Sequence, residues 1–226
     1  MWYCPDEEYR AHVDTSAATL EKLTKPIRVY CDIDGVVKPF DVPGDTNVDA
    51  SATVKYFFQD PTMRDMWVEE MTFQYRNAVV EKLREWSHRD DVDFIWLTAW
   101  RESAPFALDE QLGIRSVGYL PWVHRFSDGE HRMKGAAVLE NQQASPSQFV
   151  WLDDFANKQD FAGVPYFTHG FLTQPDGDDE AEPVFVEEET LIDPERYLSI
   201  TTDSWVGLTD ENLVTIQSWL DAQAAG

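Results

Sequence analysis

Cysteines, basic residues and long apolar runs are all scarce in this chain of 226 residues. Two cysteines, Cys4 and Cys31, cannot build a disulfide framework, so the sequence predicts a reducing, cytoplasmic location and a buried thiol at Cys31. No apolar run approaches the roughly 18 residues that cross a bilayer, and the acidic N-terminus does not have the character of a secretory signal. These shortages argue against a disulfide scaffold and against a membrane partner.

The shortage of basic residues gives a formal net charge of −24, because 42 acids face 18 lysines and arginines. A field of that sign repels long polyanions such as duplex nucleic acid, although a local basic pocket can still hold one phosphate. The same field attracts divalent cations. We therefore expect a small phosphorylated substrate, such as a nucleotide, rather than a long nucleic acid. The sequence leaves the oligomeric state open.

Short apolar runs alternate with segments of helical spacing along the chain. Buried strands are predicted at residues 27–31, 92–98 and 149–154, with further strands at 114–120, 163–168 and 197–202. Helices are predicted at residues 77–86, 103–112, 134–142 and 209–220. This alternation predicts the α/β class, with a parallel sheet and helices on both of its faces.

The chain divides into a lead-in and a core. Residues 1–26 are predicted as a polar N-terminal lead-in, and residues 27–226 as the core. Within the core, residues 36–75 are predicted as a short flap or small cap that has room for one hairpin, with helical spacing from 63 to 88. Residues 172–190 are predicted as an acidic loop.

Polar side chains follow several of the predicted strands at the point where each strand ends. In an open parallel sheet these ends meet at one edge, where ligands bind. Converging carboxylates repel one another unless a cation lies between them, and oxygen ligands beside one ammonium group suit Mg²⁺, which also accepts a substrate phosphate. The sequence therefore predicts a Mg²⁺ site that handles a phosphoryl group. Its members are Asp32, Asp34, Thr98, Lys134, Asp153 and Asp154.

Each of these side chains has a role that suits phosphoryl transfer. Asp32 can attack phosphorus and form an aspartyl-phosphate, while Asp34 can protonate the leaving oxygen and later deprotonate water. The two acids lie two residues apart, so an extended strand would direct them the same way. Thr98 and Lys134 can hold the phosphate oxygens, and Gly35 allows a sharp turn just after the acids.

Four motifs in chain order resemble those of the haloacid dehalogenase superfamily of Mg²⁺-dependent phosphohydrolases: CDIDGV, WLTAW, RMKG and VWLDDF. The resemblance covers about residues 27–157 and implies a Rossmann-like sheet with the catalytic roles just described. It also implies metal ligation by Asp32, by the backbone carbonyl of Asp34 and by one acid of the pair Asp153 and Asp154. We favour Asp154 as the direct ligand, with Asp153 behind it. The segments TAWR, WLDD and GLT are similar to small members from actinobacteria and their phages.

Positions beside the motifs are expected to contact substrate. Gly35, Ala99 and Arg101 are predicted as substrate-binding residues together with Thr98 and Lys134. Arg101 has an alternative, because it can pair with Glu102 or Asp109 instead of a phosphate.

Two tryptophans and two arginines near the motifs each have more than one interpretation. Trp100 and Trp122 can stack a base or sugar, although tryptophans more often pack in a core. Arg125 or Arg132 can take the place of Lys134, because a lysine at a helix start is usually a surface residue.

Lys38 and Phe40 follow the first motif and are candidates for a role in the flap. The five histidines lack metal-ligand spacing, so we interpret them as structural or exposed. The acidic run at residues 176–182 lacks the ligand rhythm of a calcium loop and is interpreted as solvated.

The function that these features favour is hydrolysis of a phosphomonoester, on a nucleotide or a nucleic-acid end. A receiver-like module that is phosphorylated on aspartate is one alternative. Such modules place the acidic pair at the first strand and the phosphorylated aspartate on a later one, and the order of the acids in this chain argues against that arrangement. The other alternative is a catalytically inactive protein of the same fold that binds a nucleotide or a protein.

Overall fold

The computed structural model describes residues 2–3, 16–40, 48–59, 66–122, 130–154, 171–173, 184–186 and 192–225. The strands are β1 (Trp2–Tyr3), β2 (Ile27–Cys31), β3 (Ala50–Gln59), β4 (Met66–Tyr75), β5 (Val92–Trp96), β6 (Gly118–Tyr119), β7 (Gln148–Asp153), β8 (Phe171–Thr173), β9 (Val184–Val186) and β10 (Tyr197–Thr201). The α-helices are α1 (Asn77–Ser87), α2 (Glu110–Leu112), α3 (Glu130–Ala144) and α4 (Asp210–Ala224). A π-helix spans Pro105–Asp109 and a 3-10 turn spans Pro194–Arg196.

The centre of the fold is a five-stranded parallel sheet with strand order β10–β7–β2–β5–β6. Strand β2 lies in the middle, and its last residue Cys31 is in register with Trp96 of β5 and Leu152 of β7. The carboxyl ends of these three strands therefore reach the same edge of the sheet. This arrangement confirms the predicted Rossmann-like α/β fold.

Helices cover both faces of the sheet because alternate strand residues point to opposite sides. Val29 of β2 packs in one cluster with residues of α1 and α4, whereas Tyr30 packs in a second cluster with residues of α3. All five residues of β2 and of β5 are buried, which is typical of a parallel sheet that is covered on both faces.

A long antiparallel hairpin separates β2 from α1. Strands β3 and β4 pair from Ala50 with Tyr75 to Gln59 with Met66, and β1 adds a short antiparallel strand on the other side of β4. The helical spacing predicted from residue 63 is therefore wrong over Met66–Tyr75, which form β4. The period of two at Met71, Phe73 and Tyr75 decides the conformation, because Phe73 packs in the core from one face of the hairpin.

Other element boundaries differ from the prediction in detail. Helix α3 begins at Glu130, so Lys134 lies in its second turn and does not open it. Residues 114–120 contain strand only at β6, and β8, at the start of the segment predicted as an acidic loop, pairs with β9 inside that segment. The strand predicted at residues 163–168 lies outside the described residues.

The expectation of a buried thiol has a structural counterpart. Cys31 is fully buried, and burial raises the pKa of its thiol well above the ordinary value. Across the described ranges, no helix combines the length and the apolar character needed to cross a membrane.

A half-buried carboxylate, Asp109, fixes the π-helix against the sheet. It accepts hydrogen bonds from the indole Nε1 of Trp96, at 2.8 Å, and from the hydroxyl of Ser116. Burial is the largest influence on this group and raises its pKa to about 6, against the lowering effect of the two hydrogen bonds.

Replacement of this carboxylate, Asp109→Asn, should make the protein relatively more stable as the pH rises. The folded pKa of Asp109 lies above the unfolded value, so its stabilising contribution is full below about pH 4 and is lost as the pH passes about 6. An amide does not ionise and avoids this loss. We expect the difference in unfolding free energy, variant minus wild type, to rise by about 2 kcal/mol between pH 4 and pH 7.5 in urea titrations.

Asp91→Asn is a control of opposite sign. The guanidinium of Arg89 lowers the pKa of Asp91, so the wild-type contact contributes stability at neutral pH that is lost in acid. A pH-independent difference for Asp109→Asn would contradict the assignment.

Candidate active site

Three carboxylates meet at the carboxyl edge of the sheet. Asp32 follows β2, Asp153 is the last residue of β7, and Asp154 follows it. Each offers a ligand atom, and these atoms lie within 4.8 Å of one another. The strand register brings them together, because the backbone N–H of Asp32 donates to the carbonyl of Leu152 at 2.9 Å and continues the ladder between β2 and β7.

One buried ammonium group partly neutralises these acids. Lys134 reaches from α3 and places its Nζ 2.6 Å from Oδ2 of Asp32 and 3.1 Å from Oδ2 of Asp153. The lysine is 3% exposed, so it is a buried charge that carboxylates compensate. Even with Asp32 neutral, two carboxylates face one ammonium group, so the cluster keeps one net negative charge.

The electrostatics of Asp32 show how crowded the acids are. Its pKa is raised to about 8 overall: burial is the largest cause and raises it, the ammonium of Lys134 lowers it, and Asp153 raises it. A cation held by the same oxygens would lower this pKa and keep the carboxylate ionised. The donors are all carboxylate oxygens, the set that hard divalent cations take, so these residues can hold a metal ion.

Asp34 has different partners from Asp32. Its Oδ2 accepts a hydrogen bond from the indole Nε1 of Trp100 at 2.7 Å, and its Oδ1 lies 3.4 Å from Nζ of Lys38. The expected common direction of the two acids does not apply, because β2 ends at Cys31 and the following residues form a turn. The backbone carbonyl of Asp34 as a metal ligand stays a prediction.

The segment after β5 is packed by two tryptophans. Trp100 and Trp122 are 6% and 5% exposed, which confirms the packing interpretation and leaves no ring face for a base. Trp122 donates its indole N–H to the carbonyl of Thr98 at 3.1 Å, and the backbone N–H of Trp100 donates to the Thr98 hydroxyl at 3.3 Å. Thr98 is thereby held rigidly beside the residue that contacts Asp34.

Arg101 has an uncommon backbone conformation. Its φ of 51° is in the left-handed region, which costs free energy for a residue other than glycine and often marks a functional site. The side chain is 49% exposed, and its Nε lies 3.6 Å from the carboxylate of Glu102. Asp109 is not the partner, since it faces Trp96 and Ser116. Ala99 is exposed, and the substrate roles of Ala99 and Arg101 stay predictions.

The sequence interpretation missed a loop at residues 202–208. Ser204 donates its hydroxyl to Oδ2 of Asp154 at 2.8 Å, and Thr202 donates its hydroxyl to the carbonyl of Gly35 at 2.7 Å. Both residues follow β10, at the same sheet edge as the acids. The rule that polar residues after a parallel strand build the site also applies to this strand, and it would have found them.

The contacts with Asp32 and Asp153, for which Arg125 and Arg132 are the alternatives, are made by Lys134. The side chains of Arg125 and Arg132 lie outside the described residues, as does the acidic run at 176–182.

A family model, described as the HAD domain in Swiss Army Knife RNA repair proteins, matches residues 28–177, well over half of the chain. The chain belongs to this family. The matched region of the HAD domain contains Asp32, Lys134 and the pair Asp153 and Asp154. No curated protein and no solved structure matches the chain. Membership confirms the resemblance to the superfamily and supports a phosphohydrolase in general terms, while the likeness to actinobacterial and phage members stays a prediction.

Gly35 of this HAD domain lies directly against the metal-site candidate Asp154, and Gly35→Ala should weaken the site. Its φ is +73°, and a Cβ at this position would lie 2.7 Å from Oδ2 of Asp154. We expect a loss of about 1–3 kcal/mol in unfolding free energy and a smaller rise in melting temperature on addition of Mg²⁺.

Gly113→Ala is the matched control for this substitution. Gly113 has a similar φ of +66°, but its added Cβ would meet the flexible side chain of Arg84, away from the acids. The control should lose stability and keep the full response to Mg²⁺. An equal response in the two variants would show that displacement of Asp154 has no effect on metal binding.

Proposed function

We propose that the protein is a Mg²⁺-dependent phosphatase that hydrolyses a terminal phosphomonoester, on an RNA end or a nucleotide, through an aspartyl-phosphate intermediate. The observation that carries the proposal is the contact of Lys134 with both Asp32 and Asp153, inside a cluster whose three acids lie within 4.8 Å. A purely structural ion pair would not need a third carboxylate at the same point. Such a set suits a phosphoryl group held between a cation and an ammonium group.

Asp32 is the nucleophile in this proposal. Its Oδ1 accepts a hydrogen bond from the backbone N–H of Ile33 at 2.7 Å, which fixes the orientation of the carboxylate. Its Oδ2 attacks phosphorus, and the bond from phosphorus to the ester oxygen breaks. Lys134 stabilises the charge on the phosphoryl oxygens, and a Mg²⁺ ion bound by the acids would supply further positive charge to the same oxygens.

Asp34 moves the proton. It protonates the leaving oxygen in the first half of the reaction. In the second half it takes a proton from the water that attacks phosphorus, and the bond from phosphorus to Oδ2 of Asp32 breaks, which releases phosphate and restores the carboxylate. Trp100 and Lys38 hold its carboxylate in place through the contacts described above. Asp34 is not among the three acids whose ligand atoms lie within 4.8 Å of one another, so the nucleophile and the proton carrier have different environments.

The family description supplies the context for the substrate. The matching model is named for RNA repair proteins, and on this basis we propose that the phosphate removed is a terminal phosphate of an RNA or of a nucleotide. The net charge of −24 opposes a long nucleic acid along the surface. A phosphatase needs only the end of the chain in its site, so we propose a single terminal nucleotide as the recognised unit.

Phosphate release from defined substrates tests this function. The panel holds RNA oligonucleotides with a 3′- or 5′-phosphate, the matching mononucleotides and ribose 5-phosphate, each with Mg²⁺ and with a chelator. We expect Mg²⁺-dependent release of phosphate from at least one nucleotide-containing substrate. Tight nucleotide binding without release would favour the inactive binding protein, and stable phosphorylation without turnover would favour the receiver-like module.

A further inference from the structure

Two aromatic rings are exposed side by side next to the acid cluster. Phe40 is 38% exposed and Trp205 is 53% exposed, and their ring centroids lie 5.7 Å apart at an angle of 67°. These are the large aromatic side chains that stand out as exposed in the described part of the chain. By contrast, Trp86, Trp96, Trp100, Trp122 and Trp151 are all buried. Exposure of two adjacent rings is costly in water and suggests a ligand.

The backbone that carries the two rings is connected to the acid cluster by a short path of hydrogen bonds. The backbone N–H of Phe40 donates to the carbonyl of Ser204 at 2.9 Å, and the Ser204 hydroxyl donates to Asp154 at 2.8 Å. Trp205 is the next residue after Ser204. The two residues that carry the rings therefore adjoin Ser204, which contacts Asp154 in the proposed phosphate site.

The loops that carry the rings are tied to each other. The backbone N–H of Leu208 donates to the carbonyl of Val36 at 3.0 Å, and a Cβ at Gly207 would lie 2.6 Å from that carbonyl oxygen. The backbone N–H of Trp205 donates to the carboxylate of Asp203 at 2.9 Å, inside a closed turn. The platform is preorganised, which reduces the entropic cost of binding.

We propose that the Phe40–Trp205 pair is a stacking platform for the base of the terminal nucleotide whose phosphate is held at Asp32. This inference rests on the proposed function and specifies its substrate. Aromatic stacking accepts every base because every base has a π face, so we expect little preference among the four bases. Asp203, which lies in the same turn as Trp205, carries a carboxylate and therefore does not favour a second phosphate at this position.

A base fits the observations better than a macromolecular surface. Two rings offer far less area than the roughly 800 Å² per partner that a specific protein interface buries. The net charge of −24 also opposes docking of a second copy. A nucleobase needs only one or two ring faces and a phosphate site at short range.

Selectivity between a nucleotide and a base-free phosphate tests the platform. We measure the ratio of kcat/KM for a mononucleotide to kcat/KM for ribose 5-phosphate. Trp205→Ala should lower this ratio about tenfold through KM, and Trp205→Phe should restore most of it, because a ring face is retained. Val214→Ala, which removes another exposed apolar side chain, on α4, should keep the wild-type ratio.

Binding measurements separate failure of the platform from failure of the proposed function. Calorimetry compares a nucleoside monophosphate with ribose 5-phosphate on wild type and on Trp205→Ala. A preference for the nucleotide that Trp205→Ala removes, without turnover in wild type, supports the platform and overturns the phosphatase. No preference in wild type, or an equal preference in Trp205→Ala, overturns the platform whatever the turnover. Loss of dimers in Trp205→Ala with unchanged nucleotide binding would assign the rings to a contact between copies and overturn it as well.

Discussion

Asp32→Asn is expected to lower phosphatase turnover by about 10⁴-fold or more, because a neutral amide oxygen does not attack phosphorus. The fold should survive the substitution. Asparagine can keep the hydrogen bond from the backbone N–H of Ile33, and Lys134 keeps its contact with Asp153. The change also removes a buried carboxylate whose pKa burial has raised, so the unfolding free energy should not fall. Initial rates and urea denaturation measure the two effects together.

Two further variants define what a loss of turnover means. Asp90→Asn makes the same chemical change at an exposed position and should keep full activity. Asp34→Asn retains the nucleophile but not the proton carrier, so acid-quenched samples with a good leaving group should accumulate phosphorylated protein. Asp32→Asn should accumulate none. Full turnover in Asp32→Asn would show that another group carries the reaction.

Lys134→Met should destabilise the metal-free protein by about 3–5 kcal/mol, since it leaves two buried carboxylates without their ammonium partner. For a chain of this size the loss corresponds to a fall of about 10 °C in melting temperature. The physical cause is the geometry of Lys134, whose Nζ contacts Asp32 and Asp153 at 2.6 and 3.1 Å in a buried site. Turnover should fall about 10² to 10³-fold, because the positive charge that stabilises the phosphoryl oxygens is lost.

Added Mg²⁺ should rescue part of this lost stability. A cation bound by the acids replaces the missing positive charge, so its addition should raise the melting temperature more in Lys134→Met than in wild type. Lys82→Met is the control, because it breaks an exposed pair with Glu85 that contributes less than about 1 kcal/mol. Equal melting temperatures for wild type and Lys134→Met in chelator would refute the role of the lysine in holding the acids.

Local patterns predicted much of the central sheet. The strands β2, β5, β7 and β10 were predicted from short continuous apolar runs, because a strand buried on both faces carries its signal in its own residues. Helices α1 and α4 were predicted from an apolar stripe of helical period. Thr209 caps α4, and Asn212 completes a capping box.

The hairpin could not be predicted in the same way. Strand β4 contains Met66, Trp67, Val68 and Met71 at spacings that also suit a helix. Its pairing with β3 decides between the two periods, and pairing is a contact between residues distant in sequence. The aromatic candidates changed for a similar reason. Trp100 is buried by Phe73 of the hairpin, at a centroid distance of 5.9 Å, whereas Trp205 is exposed on a loop that the motifs do not include.

The sequence by itself determined the chemistry of this protein: which strands end on acids, that one lysine and one threonine accompany them, and that their order matches a HAD domain. Only the tertiary structure decided which groups meet. Lys134 contacts Asp32 across 102 residues, Trp100 contacts Asp34 across 66, and Ser204 contacts Asp154 across 50. Contacts at such separations follow from the strand order and from the packing of α3 on one face of the sheet. No local pattern of residues encodes them.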